Sequence, residues 1–131
     1  MPKPIKRSIA VVIRQNERLL VLRRPDDDDE LPGIWGPPAG SFRDSETLDA
    51  LVERIGRDKL GVTLTPSRKL TNGVQERVNF RLEMELWEVS MDGTPAKGEW
   101  QWADWKILEP GMKSGSLCCT LALQSKSRVK S

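Results

Sequence analysis

Residues 40–62 (GSFRDSETLDALVERIGRDKLGV) constrain the fold more than any other stretch. They open on a glycine, pass through a polar loop into an amphipathic helix, and stop at a second glycine. Leu48, Leu51, Val52 and Ile55 recur at i, i+3, i+4 and i+7, so one face of the helix must pack on other structure. Ser45 is the expected N-cap, with Glu46 in the first turn at the positive end of the helix dipole and Gly61 as the C-terminal stop. Gly56 is the anomaly. A glycine inside a helix costs about 1 kcal/mol relative to alanine, so this one needs a reason.

The partner of that apolar face is a sheet. Residues 8–14 (SIAVVIR) are β-branched and apolar, and residues 18–24 (RLLVLRR) return after the polar turn at 15–17, which predicts a hairpin. Residues 78–87 alternate apolar and polar cleanly and form the best strand in the chain. Residues 62–64 are a short strand candidate, and the run from Pro66 toward Gln75 is a second. Residues 91–98 read as loop, residues 100–107 (WQWADWKI) as a further strand closed by Glu109-Pro110-Gly111, residues 118–123 as a short helix, and residues 125–131 as a frayed tail. Strands, helix, strands, helix describe an α+β fold on a mixed, largely antiparallel sheet.

Length and charge narrow the function classes. A chain of 131 residues supports a single domain with one real core. Its net charge of +2 gives no electrostatic case for nucleic acid as a partner. The apolar run at 9–13 falls far short of the roughly 20 residues that span a bilayer, and no apolar segment of signal-peptide length follows the basic residues 1–7. The expectation is a cytoplasmic protein without membrane contact. Histidine is absent, which removes His-based triads, His bases and most zinc sites at once. Adjacent Cys118 and Cys119 read as buried thiols, since a bridge between them is geometrically unfavourable.

Four aspartates in the run 25–30 (PDDDDE) read as a solvated loop, because like charges repel. Three glycines and three prolines in residues 31–40 then impose an irregular backbone around Trp35. Arg23 and Arg24 end a strand and point to opposite faces, so one of them at most enters a cleft. Either they are a solvated strand end, or Arg23 is an anion contact. Trp35, Trp100 and Trp102 are either core or platforms for a nucleobase.

The glycine-bounded loop and helix resemble the Nudix box, G-x5-E-x7-R-E-U-x-E-E-x-G-U with U aliphatic. Gly40, Glu46, Arg54, Gly61 and Val62 occupy matching positions without a gap. The lead-in at 35–40 (WGPPAG) and the Trp-bearing segment at 99–110 are similar as well, so the resemblance spans roughly residues 6–124. It implies an α/β/α sandwich that hydrolyses a nucleoside diphosphate linked to another moiety. It also implies Mg²⁺ or Mn²⁺ as cofactor, because a pyrophosphate needs a hard cation held by carboxylates. Gly40, Glu46, Arg54 and Gly61 would then be the structural frame, with Arg54 anchoring the loop through Glu46.

The acids of the pattern are mostly missing. Ile55 stands where the glutamate after the arginine belongs, Gly56 at the aliphatic position, and Asp58-Lys59 in place of the E-E pair. Glu53 does not substitute for position 55, being about 200° away around the helix. Three readings remain open. Asp58 and Glu99, with the Gly40 carbonyl, form a thinner metal and catalytic site. Lys59 meets phosphate directly as a fixed charge. The fold binds a nucleotide without cleaving it and without any cofactor. For Asp58 itself the alternative is a solvated helix residue. Glu76, Glu83 and Glu85 are further acids outside the box. The functional choice is thus between a pyrophosphohydrolase and a non-catalytic domain binding a nucleotide or a protein; a homodimer scaffold has no direct support.

Overall fold

The computed structural model describes residues 3–28 and 30–126. Asp29 of the acidic run, and the part of the expected frayed tail beyond Lys126, lie outside the described residues. The chain begins with β1 (Ile5–Val12), β2 (Arg14–Gln15) and β3 (Arg18–Arg23), the last two joined by a turn in which Asn16 takes a left-handed φ of 58°. Two short strands follow, β4 (Trp35–Gly36) and β5 (Ala39–Ser41), and then helix α1 (Leu48–Lys59). Next come β6 (Thr63–Glu76), β7 (Arg81–Asp92) and β8 (Trp100–Ala103), a 3₁₀ turn over Trp105–Leu108, and helices α2 (Glu109–Lys113) and α3 (Leu117–Ser125).

One sheet has the order β5-β1-β7-β6, in which only β1 and β7 run parallel. In the second sheet β3 pairs with β2, β4 and β8, all antiparallel. Period-2 alternation sends β1 side chains to opposite faces and so builds two cores. Ile9, Val11 and Ile13 join Leu51, Val52 and Ile55 of α1, whereas Ala10 and Val12 join Leu121 and Ala122 of α3. Helices thus cover both faces of a mixed, mostly antiparallel sheet.

Several elements differ from the sequence reading. Ser45 does not cap α1; it takes a left-handed φ of 62°, and Thr47 is the N-cap, accepting from the Ala50 N–H at 3.1 Å. Glu46 lies before the helix, and Asp49 occupies the first turn instead. The best strand starts at Arg81 rather than 78, since Val78 sits in the β6–β7 turn at 91% exposure, and it continues to Asp92 into the expected loop. The two candidate strands after α1 are one, β6, whose register shifts at Pro66/Arg68 and Lys69/Thr71 absorb the proline that suggested a break. The last strand ends at Ala103, because the Asp104 carboxylate accepts from the Lys106 N–H and starts the 3₁₀ turn. Glu109-Pro110-Gly111 opens a helix, a position where proline's missing N–H costs nothing. Ser125 is buried in α3 rather than frayed, its hydroxyl donating to the Ala122 carbonyl at 2.8 Å.

Gly56 has its reason. A Cβ there would stand 2.7 Å from Leu64 Cγ and 2.8 Å from the Val62 carbonyl oxygen, so α1 lies on the start of β6 with no room for a side chain. Alanine would gain helix propensity yet overpack this contact, and the overpacking dominates because one neighbour is backbone. Gly56→Ala is expected to lower stability by about 1–3 kcal/mol in urea denaturation.

Candidate functional site

The frame of the site is a loop tied to a helix. Arg54, on α1, donates from Nε and Nη2 to the two Glu46 carboxylate oxygens, both at 2.8 Å, and from Nη2 to the Ser41 carbonyl at 2.7 Å. Glu46 also accepts from the Arg43 N–H at 3.0 Å. A bidentate pair of this kind fixes both partners in one plane, and so fixes the loop on the helix. The Arg54 hydrogen bonds, then the Arg43 N–H, pull the Glu46 pKa down from 4.5 to about 2. Glu46 stays ionised in the folded chain where the unfolded chain takes up a proton, so its stabilisation is complete above 4.5. Stability is expected to fall as pH drops from 4.5 toward 2, and Glu46→Gln should lose that part of the pH dependence in acid titrations of urea unfolding.

Gly40 lies on β5 opposite Ile9 of β1. A Cβ at Gly40 would meet Ile55 Cγ1 at 3.0 Å, so this glycine admits the Ile55 side chain. Ile55 is 1% exposed within the α1 core, and a side chain at that position enters the apolar layer, away from solvent. Gly61, with φ 73°, turns the chain after α1, and the Leu60 carbonyl accepts from Ala96 N at 2.7 Å. This contact brings the 93–99 loop, and with it Glu99, to the end of the helix.

Two adjoining cavities open beside this frame, of about 370 Å³ and 520 Å³. They share a wall made by Arg24, Ala39, Lys59, Ser116 and Cys118. The smaller cavity is also lined by Lys6, Arg54 and Arg77, against one acid among the described residues, Glu30. The larger has more apolar walls, with Leu22, Ile34, Pro37 and Pro38. Arg24 is held by Asp28 at 3.0 Å, and Arg77 pairs with Glu30. Asp28 is more than a solvated loop residue. It accepts from the Leu31 and Glu30 N–H groups, and the Leu31 bond above all holds its pKa below the usual carboxylate value.

Lys59 keeps an exposed surface at the rim, yet protein crowds around it, and that crowding first, then the charge of Arg24, lowers its pKa. Among the described residues it has no carboxylate in ion-pair contact. The α3 thiols are free and buried. The neighbouring Cys119 thiol above all, then Ser116, its hydroxyl 3.3 Å from Cys118 Sγ, and Arg24 hold the Cys118 pKa below the usual thiol value against burial, while Cys118 and burial push the Cys119 pKa up.

The other sequence candidates stand off the shared wall. Asp58 pairs with neighbouring Arg57 at 3.1 Å, its side chain 49% exposed, and lines neither cavity. Glu99 borders only the larger one, 63% exposed, 3.6 Å from Arg23. Arg23 and Arg24 both line the larger cavity, against the expectation of one at most, because the chain leaves β3 at Arg23 and strict alternation ends there; Arg23 is engaged by Asp26 and Glu99, and only Arg24 reaches the shared wall. Trp35 packs on the α3 core and its carbonyl accepts from Cys119 Sγ at 3.6 Å; Trp100 and Trp102 pack edge-to-face in the α1 core. Glu76, Glu83 and Glu85 face Lys3, Arg81 and Lys69. Lys6 and Ser116 escape the sequence reading, and Cys118 figures there only as a buried thiol, because the three come from strand and helix ends more than a hundred residues apart.

A hard divalent cation needs several oxygens converging on it. Among the described residues no three Asp, Glu, Cys or His side chains are grouped to hold one. With Ile55 in the core and Lys59 at the rim, these residues do not fit the ion that the sequence resemblance implies. Likewise, among the described residues no helix is long and apolar enough to cross a membrane.

No protein-family model matches the chain, and no curated protein matches it in sequence. Solved structures do. It is similar to the E. coli ORF135 protein, at 19% identity over 98% of this chain and 96% of that one, with TM-score 0.75. The MutT protein from Methanosarcina mazei Go1 superposes at TM-score 0.72, with 18% identity over 99% of each chain. A NUDIX hydrolase from Nitrosomonas europaea gives TM-score 0.76 at 11% identity, over 97% of this chain and 90% of that one. At such identities the likeness is one of architecture: the chain has the Nudix-type α/β/α sandwich fold.

Proposed function

We propose that the cleft binds a nucleotide-type small molecule carrying a diphosphate, and that it does so as a binding module rather than a hydrolase. The observation that carries this reading is the cationic wall shared by the two cavities, with Lys59 and Arg24 at its centre. A diphosphate on that wall would leave one substituent to the polar cavity and the other to the apolar one. This arrangement suits a nucleoside diphosphate linked to another moiety, the substrate class of the family that the chain resembles. Fold kinship alone does not bring the activity with it. Hydrolysis in that family runs on carboxylates and a divalent ion, and this chain puts a buried isoleucine and a lysine at two of the acid positions.

Equilibrium binding of ADP-ribose, dinucleoside polyphosphates, nucleoside triphosphates and nucleotide sugars tests the reading. At least one diphosphate is expected to bind, and to bind more weakly as salt rises, since the contact is largely ionic. Failure of every member of the panel to bind, with the fold intact, would overturn it. Binding at unchanged affinity in Arg24→Ala would place the ligand elsewhere.

A further inference from the structure

The shared wall holds one cation, Lys59, that no carboxylate among the described residues balances, beside Arg24, which Asp28 pairs, and the Cys118 thiol. Lys59, at the end of α1, lines the cavity with Arg24 and Arg54; burial first, then the Arg24 charge and more weakly that of Arg54, disfavour its charged form, with the Cys118 thiol acting the other way. Arg54 is neutralised by Glu46 and Arg24 by Asp28, but among the described residues Lys59 has no carboxylate partner. Lys6 approaches the same cavity from β1, its ammonium 5.3 Å from the centre of the Phe80 ring rather than on an acid. The first residues of α3, Ser116 to Cys118, complete the wall with the positive end of a helix. Like charges brought together on folding raise the energy of the empty cleft, and an anion seated among them relieves it. The position is telling as well. Lys59 falls where the sequence pattern has the second glutamate of its E-E pair, so a cation of the chain stands where an acid would have held a cation from solution.

Building on the reading above, we infer that the Lys59 ammonium takes the place of the divalent ion, so that a diphosphate binds here without metal. Lysine suits this task as a compact point charge with three donors that adapts to phosphate oxygens. A metal ion would then hinder rather than help. Mg²⁺ on the diphosphate lowers the ligand's charge and presents a dication to Lys59 and Arg24, so added Mg²⁺ weakens binding.

The test is calorimetric titration with inorganic pyrophosphate, in EDTA and again in excess Mg²⁺, on the full chain and on Lys59→Ala, Lys59→Arg and Lys59→Glu. Each variant is checked by circular dichroism, and an exposed lysine at a helix end is not needed for folding. Pyrophosphate is expected to bind in EDTA and to bind less tightly in Mg²⁺. Lys59→Ala should weaken binding in EDTA roughly 10- to 100-fold, as for the loss of one charge-assisted contact. Lys59→Arg should keep most of the affinity, and Lys59→Glu should abolish it. Binding only in Mg²⁺ would overturn the inference and leave the proposed ligand class standing. Binding in EDTA at the same affinity in Lys59→Ala would also overturn it. No binding in either condition would contradict the diphosphate reading itself.

Discussion

Ile55→Glu, which restores the acid of the Nudix pattern, is expected to destabilise the protein by about 3–5 kcal/mol rather than create a base, as for a buried charge left without a partner. Ile55 is 1% exposed and touches the space above Gly40 beside Leu51. A carboxylate in that layer finds no cation on the apolar face and loses the packing of the isoleucine. Arg54, one residue earlier, is committed to Glu46. The new glutamate would be protonated in the folded chain and ionised in the unfolded one, so its folded pKa is raised. The deficit is therefore smallest in acid and grows as pH rises through the unfolded carboxylate pKa of about 4.3. Urea denaturation of Ile55→Glu at several pH values checks both size and sign. Stability equal to that of the unaltered chain at neutral pH would show that position 55 reaches solvent.

Gly98→Ala is expected to cost about 2–4 kcal/mol, the sum of a left-handed backbone and an overpacked contact. Gly98 takes a φ of 85°, and a Cβ there would stand 2.6 Å from the Lys59 carbonyl oxygen and 3.0 Å from Leu22 Cδ2. The clash with Lys59 is against backbone, so relief requires the loop or the end of α1 to move. Thermal and urea denaturation measure the cost. Because the displaced segment carries Lys59, the same variant should also weaken pyrophosphate binding. The damage is then functional as well as structural, which distinguishes Gly98 from Gly56, whose clash is with Leu64 and the Val62 carbonyl rather than with Lys59.

The periodicity of residues 48–55 predicts α1 and its buried face correctly because that face is decided locally, by spacing alone. The alternation of Leu82, Met84 and Leu86 likewise gives the right face of β7, although the strand starts later than the pattern does. Val78 and Asn79 fit the alternation but lie in the turn out of β6, a matter of tertiary context. Ser45 matched the composition of an N-cap, yet the loop needs a left-handed residue there, and Thr47 takes the role two positions on. Composition also made Pro66 a strand break, while a bulge lets β6 carry it. The candidate site was less legible. Arg54 and Lys59 sit in one short segment and are visible in sequence, but they meet Lys6 from β1, Arg24 from the end of β3 and Cys118 from α3 only through tertiary packing. Asp58 and Glu99 were plausible ligands by residue type, and only their placement separates them from the shared wall.

We propose that the Glu46–Arg54 frame borders a cleft in which Ile55 and Lys59 leave two acid positions of the resembled pattern without a carboxylate. Release of phosphate or nucleoside monophosphate from ADP-ribose, dinucleoside polyphosphates, nucleoside triphosphates and nucleotide sugars, followed in Mg²⁺ and in Mn²⁺, tests it most directly. No turnover above that of Asp58→Ala and Glu99→Ala is expected in either metal, for ligands whose binding is measurable. Metal-dependent turnover that Asp58→Ala abolishes would contradict it.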